Sequence, residues 1–215
     1  MQNFSKPKGV TFLNKKSCHI DKNVTFGNNV TIYPGNIITG NTHIGDNVVL
    51  KANNIIHNCQ IYENCIIEQS NLCDSNIGKN CQIGPFARLR PNSIIENDCK
   101  IGNFVEVKNS IIDSGTKASH LAYIGDADIG KNCNIGCGVI FANYNGKTKN
   151  KIKVGDNCFI GSNSNLIAPL LIANNTYICA GTTLTVDTKE YDFVIARERE
   201  IIKPNRAKQY LKENQ

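Results

Sequence analysis

The sequence predicts an all-β chain wound as a parallel β-helix, a solenoid of short strands. Three observations predict it. An isoleucine, leucine or valine returns every six residues, most clearly at Ile77, Ile83, Leu89, Ile95 and Ile101. A glycine often follows it, as in Ile77-Gly78, Ile83-Gly84 and Ile101-Gly102. Small residues, many of them cysteines, stand two places before it. A six-residue period is neither strand alternation nor the 3.6 spacing of a helix; it is the signature of hexapeptide coils.

The repeat begins near Ile20 and continues through Phe26, Ile32, Ile38, Ile44, Leu50 and Ile56. Five-residue steps occur at Ile56–Ile61, Ile67–Leu72–Ile77, Val107–Ile112 and Ile124–Ile129, and read as trimmed corners. Three hexapeptides make one triangular coil, so residues about eighteen apart stack about 4.8 Å from each other. After Phe141 the period breaks, and it resumes at Val154, Ile160, Leu166, Ile172, Ile178 and Leu184. The interruption, Asn143-Tyr144-Asn145-Gly146-Lys147-Thr148-Lys149, reads as an excursion from one face, where solenoids often bind ligands. Roughly nine coils are expected, each stable only against its neighbours. The organisation expected is a leader at 1–17, polar in Met1–Lys8, a β-helix domain at 18–188, and a tail at 189–215 with a short helix after Pro204.

Composition narrows the function. Ten cysteines could suggest disulfides or a metal. Yet Cys18, Cys59, Cys65, Cys81, Cys99, Cys133 and Cys158 each precede an inward apolar residue by two, where a free thiol serves as a small hydrophobe. Reduced thiols point to a cytoplasmic protein. Cys133 and Cys137 have the wrong spacing for a zinc half-site, with Cys133 inside and Cys137 outside, and no metal is expected. No apolar run is long enough to span a bilayer, and no signal peptide is evident. The net charge of +6 suits an acidic ligand, and Lys147, Lys149, Lys151 and Lys153 cluster in or near the excursion. No basic helix or nucleic-acid motif is present, which argues against nucleic acid.

Specific polar groups interrupt the Asn/Lys-rich surface in the middle of the chain. Arg90 and Lys108 are one coil apart (108 − 90 = 18), and two stacked cations suit an anion such as phosphate. His120, in Lys117-Ala118-Ser119-His120-Leu121-Ala122-Tyr123, lies within two coils of them and could take a proton at neutral pH. His19, His43 and His57 occupy ordinary surface or corner positions. Tyr144, Ser162 and Ala180 form a second file by the same arithmetic (162 − 144 = 18; 180 − 162 = 18); by themselves Ser162 and Ala180 read as tolerated small residues, and the sharper reading is a shallow groove in which a linear pantetheine arm could lie.

The blocks Gly84-Pro85-Phe86-Ala87-Arg88-Leu89-Arg90-Pro91, Gly102-Asn103-Phe104-Val105-Glu106-Val107-Lys108, His120-Leu121-Ala122-Tyr123-Ile124-Gly125-Asp126-Ala127 and Asn143-Tyr144-Asn145-Gly146 closely resemble the acetyltransferase half of the bacterial bifunctional enzyme family that makes UDP-N-acetylglucosamine. The likeness runs from about Gly9 to about Arg199. It implies a left-handed β-helix, a homotrimer with sites between subunits, and glucosamine-1-phosphate N-acetyltransferase activity with acetyl-CoA as co-substrate. It implies His120 as general base and Arg90, Lys108, Tyr123, Asn134 and Lys149 around the phosphosugar. It also implies Cys137, Asn143, Tyr144, Ser162, Ala180 and Arg197 along acetyl-CoA. Asn145 stands where the family usually has aspartate, and Cys137 where it has an alanine-like residue. Glu106 is a candidate to orient His120. The family's N-terminal nucleotidyltransferase domain is not expected in this chain, which is either a naturally separate protein or an excised fragment of a longer one, and a separate uridylyltransferase is a candidate partner that would use the product. Competing readings are an acyltransferase for another amino or hydroxy sugar or for serine, and a non-catalytic scaffold. A γ-class carbonic anhydrase would need a zinc histidine where Gly125 stands.

Overall fold

The computed structural model describes residues 9–210; the leader Met1–Lys8 and the tail residues Leu211 and Lys212 lie outside the described residues. Short parallel strands wind into a β-solenoid of about ten turns with nearly no helix. Strand pairing runs from Val10–Phe12 to Phe193–Val194, past both ends of residues 18–188. Among the described residues the tail carries one 3-10 turn, Arg206–Gln209.

The six-residue period becomes the core. The apolar residue of each repeat points inward onto its counterpart in the next coil, and Ile44, Leu50, Ile56, Ile61, Ile67, Leu72 and Ile77 are completely buried. Of the cysteines two places earlier, Cys59, Cys65, Cys81, Cys99, Cys133 and Cys158 are buried and Cys18 is half-buried; all ten cysteines are free thiols. Burial pushes the Cys59 thiol up to about 12, so it packs as a neutral hydrophobe.

The corners explain the asparagines. Asn29, Asn47, Asn64 and Asn80 adopt positive φ, between 56° and 61°. Asparagine tolerates that region better than other chiral residues. Each side-chain amide then donates to the next coil: Asn29 to Asn47 at 2.9 Å, Asn47 to Asn64 and Asn64 to Asn80 at 3.1 Å, and Asn80 to Asp98 at 2.9 Å.

Coil length varies where the sequence says it should. Full coils pair residues 18 apart, such as Asn76 with Ile94. A coil with one trimmed corner pairs residues 17 apart, Ile94 with Ile111, and one with two pairs residues 16 apart, Gln60 with Asn76. The coil holding the excursion is longer and pairs Asp128 with Lys153 (153 − 128 = 25). Two strands depart from the repeat. Lys100–Lys108 and Lys117–Gly125 each run nine residues round a corner and pair with one another, joining two faces of the prism into a 19-stranded sheet. The third face is a separate nine-stranded sheet.

Ile61 lies far from the polar blocks, so Ile61→Ala tests the core alone. Urea unfolding should show a loss of about 2–5 kcal/mol, the sum of lost transfer energy and the cavity left in a stack with neighbours above and below.

Candidate active site

The strand Lys117–Gly125 organises the polar residues. It carries His120 at the bend and Tyr123 beyond it, and it ends at Gly125, the register partner of Lys108. Glycine at 125 leaves room for two neighbouring side chains. A Cβ there would collide with the Tyr123 hydroxyl and lie 2.9 Å from the Asn143 amide nitrogen. The missing side chain is the space these two groups occupy.

Around Gly125 a cluster of charges forms. Arg90 donates to Val107 O through its backbone at 2.8 Å, which stacks it beside Lys108. Each of the two stacked cations has a carboxylate partner. Arg90 Nη1 meets Glu106 Oε1 at 2.9 Å, and Lys108 Nζ lies 3.2 Å from both carboxylate oxygens of Asp126. Asp126 is only 8% exposed in its side chain and accepts further bonds from Asn109, at 2.6 Å, and from Asn143. Burial is the largest influence on its carboxyl and pushes it up. The bonds from Asn109, Asn143 and Lys108, with the charge of Lys108, outweigh burial and hold the carboxyl below its ordinary value.

The excursion folds as a small turn. Tyr144 bridges to Lys149, the Asn150 N–H donates to Asn143 O at 2.7 Å, and Asn145 Oδ1 accepts from the N–H groups of Lys147 and Thr148. This delivers Asn143 to Asp126 and Lys149 to Lys108. Direct contact with Lys108, and then its charge, holds the Lys149 ammonium below the ordinary lysine range, and Arg90 adds to the effect. Burial is the largest influence on Lys108 and would lower it, but the bond to Asp126 and the charge of that carboxylate act to raise it. Among the described residues Lys149 makes no ion pair, so Arg90, Lys108 and Lys149 leave a local excess of positive charge. The four excursion lysines do not act as one cluster: Lys151 pairs with Asp128 at 2.8 Å, Lys153 lies on the nine-stranded sheet, and Lys147 is exposed on the turn.

A second group stands in file along the bend. Asn103 pairs with His120 in register, and His120 Nδ1 lies 2.7 Å from Asn103 Oδ1. Glu106 therefore does not orient His120; its carboxylate is taken by Arg90. One coil on, at the position above His120, is Cys137, whose carbonyl accepts from the Asn163 N–H in the coil that carries Ser162. The Ser162 carbonyl in turn accepts from Gly181 N–H, beside Ala180. Cys137, Ser162 and Ala180 are exposed, and Arg197 Nη1 donates to Ala180 O at 2.8 Å. The file expected from Tyr144 through Ser162 to Ala180 is thus corrected. The excursion stretches the offset across its coil to 25, so Cys137, not Tyr144, lies below Ser162 (162 − 25 = 137). Tyr144 is exposed on the excursion, its hydroxyl donating to Gly146 O at 2.7 Å.

The structure brings Arg90, Lys108, Tyr123, Asn143 and Lys149 together, and separately aligns His120, Cys137, Ser162, Ala180 and Arg197. Asn134 belongs to neither group; it pairs with Lys117 and Phe159 on the face before the bend. Asn103, Asn109 and Asp126 were not singled out among the functional residues. The offset 126 − 108 = 18 was available for Asp126. Asn103 is hidden because the trimmed corner shortens its offset to His120 to 17.

The coil architecture is that of hexapeptide repeats, and two stretches of the chain match models of such repeats. Residues 74–109 match the family described as bacterial transferase hexapeptide (six repeats), and residues 151–186 the hexapeptide repeat of succinyl-transferase. Over 195 residues, 91% of its length, the chain is 50% identical to the bifunctional protein GlmU of Clostridioides difficile and 46% identical to that of Clostridium kluyveri. It spans 42% and 43% of those proteins, matching their C-terminal part. Among solved structures, UDP-N-acetylglucosamine acyltransferase from Campylobacter jejuni superposes with a TM-score of 0.59 over 81% of this chain and 68% of that one; at 17% identity this likeness concerns the fold alone.

The folded-state carboxyl of Asp126 lies below its unfolded value of 3.8, so its stabilisation is complete above that pH and is lost as pH falls through the lower folded value. Urea midpoints measured on either side of pH 3.8 should fall more steeply for the unmodified chain than for Asp126→Asn.

Proposed function

We propose that the chain transfers the acetyl group of acetyl-CoA to the amine of glucosamine-1-phosphate, giving N-acetylglucosamine-1-phosphate for UDP-N-acetylglucosamine and cell-envelope synthesis. The observation that carries this reading is that one strand, Lys117–Gly125, joins an accessible imidazole to a cation-rich pocket. The phosphate would lie among Arg90, Lys108 and Lys149, where a dianion relieves the repulsion between the two ammonium groups. Tyr123 and Asn143 border that pocket. A phosphosugar role for Asn134 would require it to come from another subunit.

The acetyl-CoA arm would run along the file of Cys137, Ser162 and Ala180, with Asn143, Tyr144 and Arg197 at its margins. The amine nitrogen attacks the thioester carbonyl carbon, the C–N bond forms and the C–S bond breaks. His120 takes the amine proton and returns it to the departing CoA thiolate. No acyl-enzyme is required, so Cys137 lines the groove without acting as nucleophile.

We place the enzyme in the cytoplasm as a homotrimer, consistent with its free thiols and with the family it resembles. The exposed apolar corner of Phe86, Phe104 and Leu121 and the stacked exposed rings of Phe159, Tyr177 and Phe193 offer surface for such an assembly. Sedimentation equilibrium should give three times the chain mass; a monomer retaining full activity would refute intersubunit sites.

The reaction is tested by thiol release from acetyl-CoA with glucosamine-1-phosphate beside glucosamine-6-phosphate. The 1-phosphate should be strongly preferred, and His120→Ala should lower turnover by about 10²-fold or more. Arg90→Ala and Lys149→Ala should chiefly raise KM for the phosphosugar, by about tenfold or more, because hydrogen bonds to charged groups contribute about 1.5–3 kcal/mol. Release with other amines but not this one would redirect the reading to another acceptor; acetyl-CoA binding without release would make the chain a scaffold.

A further inference from the structure

We propose that Asn103 is a positioning residue that locks His120 in the tautomer with its proton on Nδ1, leaving Nε2 as the base; as an account of catalysis this rests on the acetyl-transfer reading.

The placement is built into the backbone. Lys100–Lys108 and Lys117–Gly125 pair in register through the bend, with Asn103 opposite His120. The approach is close at the preceding pair. A Cβ on Gly102 would collide with the Ser119 carbonyl oxygen and lie 3.0 Å from Ser119 Cα, so glycine there lets the coils come together just before the two side chains meet. The outcome is the 2.7 Å contact between Asn103 Oδ1 and His120 Nδ1.

The chemistry follows from the atoms. A carboxamide oxygen only accepts, so the imidazole nitrogen facing it must donate. Neutral imidazole has one N–H, and its other nitrogen then carries the lone pair that receives the amine proton. Asn103 is half-buried and His120 exposed, so the oriented nitrogen is the inner one and Nε2 remains reachable. The orienting group is also neutral. Glu106, the carboxylate on the same strand, is held by Arg90 at 2.9 Å, with Arg88 at 4.0 Å. An imidazolium formed during transfer therefore faces an amide, and its proton is held less firmly than beside a carboxylate, which favours its return to the thiolate.

The test has two independent arms. In protein labelled with 15N-histidine, long-range proton–nitrogen correlation, with His120→Gln for assignment, should show His120 as the Nδ1–H form with an unprotonated Nε2. Finding the Nε2–H form, or an even mixture, in the unmodified protein would overturn the proposal even if no substrate is known. In the kinetic arm, Asn103→Ala should lower kcat on the order of 10²-fold, the scale expected for a misplaced reacting group, with KM for both substrates unchanged. Asn103→Asp, which also accepts at that position, should recover most of the loss and keep the Nδ1–H form. Equal loss in both variants, a loss confined to KM, or no loss would each refute a positioning role. Absence of turnover in the unmodified protein would instead defeat the acetyl-transfer reading and leave the tautomer assignment to the spectra.

Discussion

Every contact in this site depends on one constraint: parallel coils pair in register about 4.8 Å apart, so residues per coil decide which side chains stand above one another. Hydrophobic stacking enforces it. Ile124 and Val107 are fully buried and lie opposite each other in adjacent coils, and Ile101 and Ala118 do the same at the start of the two long strands. A slip of one residue would turn these apolar groups outward and carry His120 away from Asn103. The core therefore holds the site in alignment.

Much of the fold was legible because the period was continuous and each deviation was local. A missing residue at a corner removes one position from the outer turn and leaves the inward residue where it was. Ile112 follows Val107 by five residues, not six, yet both remain fully buried. The long strands were less legible. Phe104 and Leu121 sit at the bend with positive φ of 58° and 38°, where bulky residues are uncommon, and nothing in their spacing reveals that the strand continues through them.

The site was legible only as far as coil length was tracked. Arg90 and Lys108 span a full coil, and the simple offset found them. The file at the bend crosses three kinds of coil. The offset is 17 from Asn103 to His120 and again from His120 to Cys137, where the strands pair with the same shift. It is 25 from Cys137 to Ser162 and 18 from Ser162 to Ala180. A constant offset of 18 placed Tyr144 in that file and overlooked Asn103. The information was present in the trimmed corners at Val107–Ile112 and Ile124–Ile129 and in the excursion. Charge compensation was harder to read. That Asp126 and Glu106 answer the two cations follows from side-chain reach, which spacing does not report.

The same compensation separates the two halves of the site. Both nearby carboxylates are committed to cations, Glu106 to Arg90 and Asp126 to Lys108. Asp126 cannot leave its place without depriving the Asn109 and Asn143 amides of their acceptor. The pocket is thus held rigid from beneath while Lys149, on the excursion, makes no ion pair with any described residue. An anion entering there meets two cations already paired with carboxylates, Arg90 and Lys108, and a third, Lys149, without such a partner among the described residues. The imidazole stands along the strand with an amide for company, outside this network. Charge binds at one end and a proton moves at the other, and no carboxylate couples the two. Substitutions in the cation pocket should therefore change binding without changing the tautomer of His120, a separation that follows from the pairing scheme and not from distance alone.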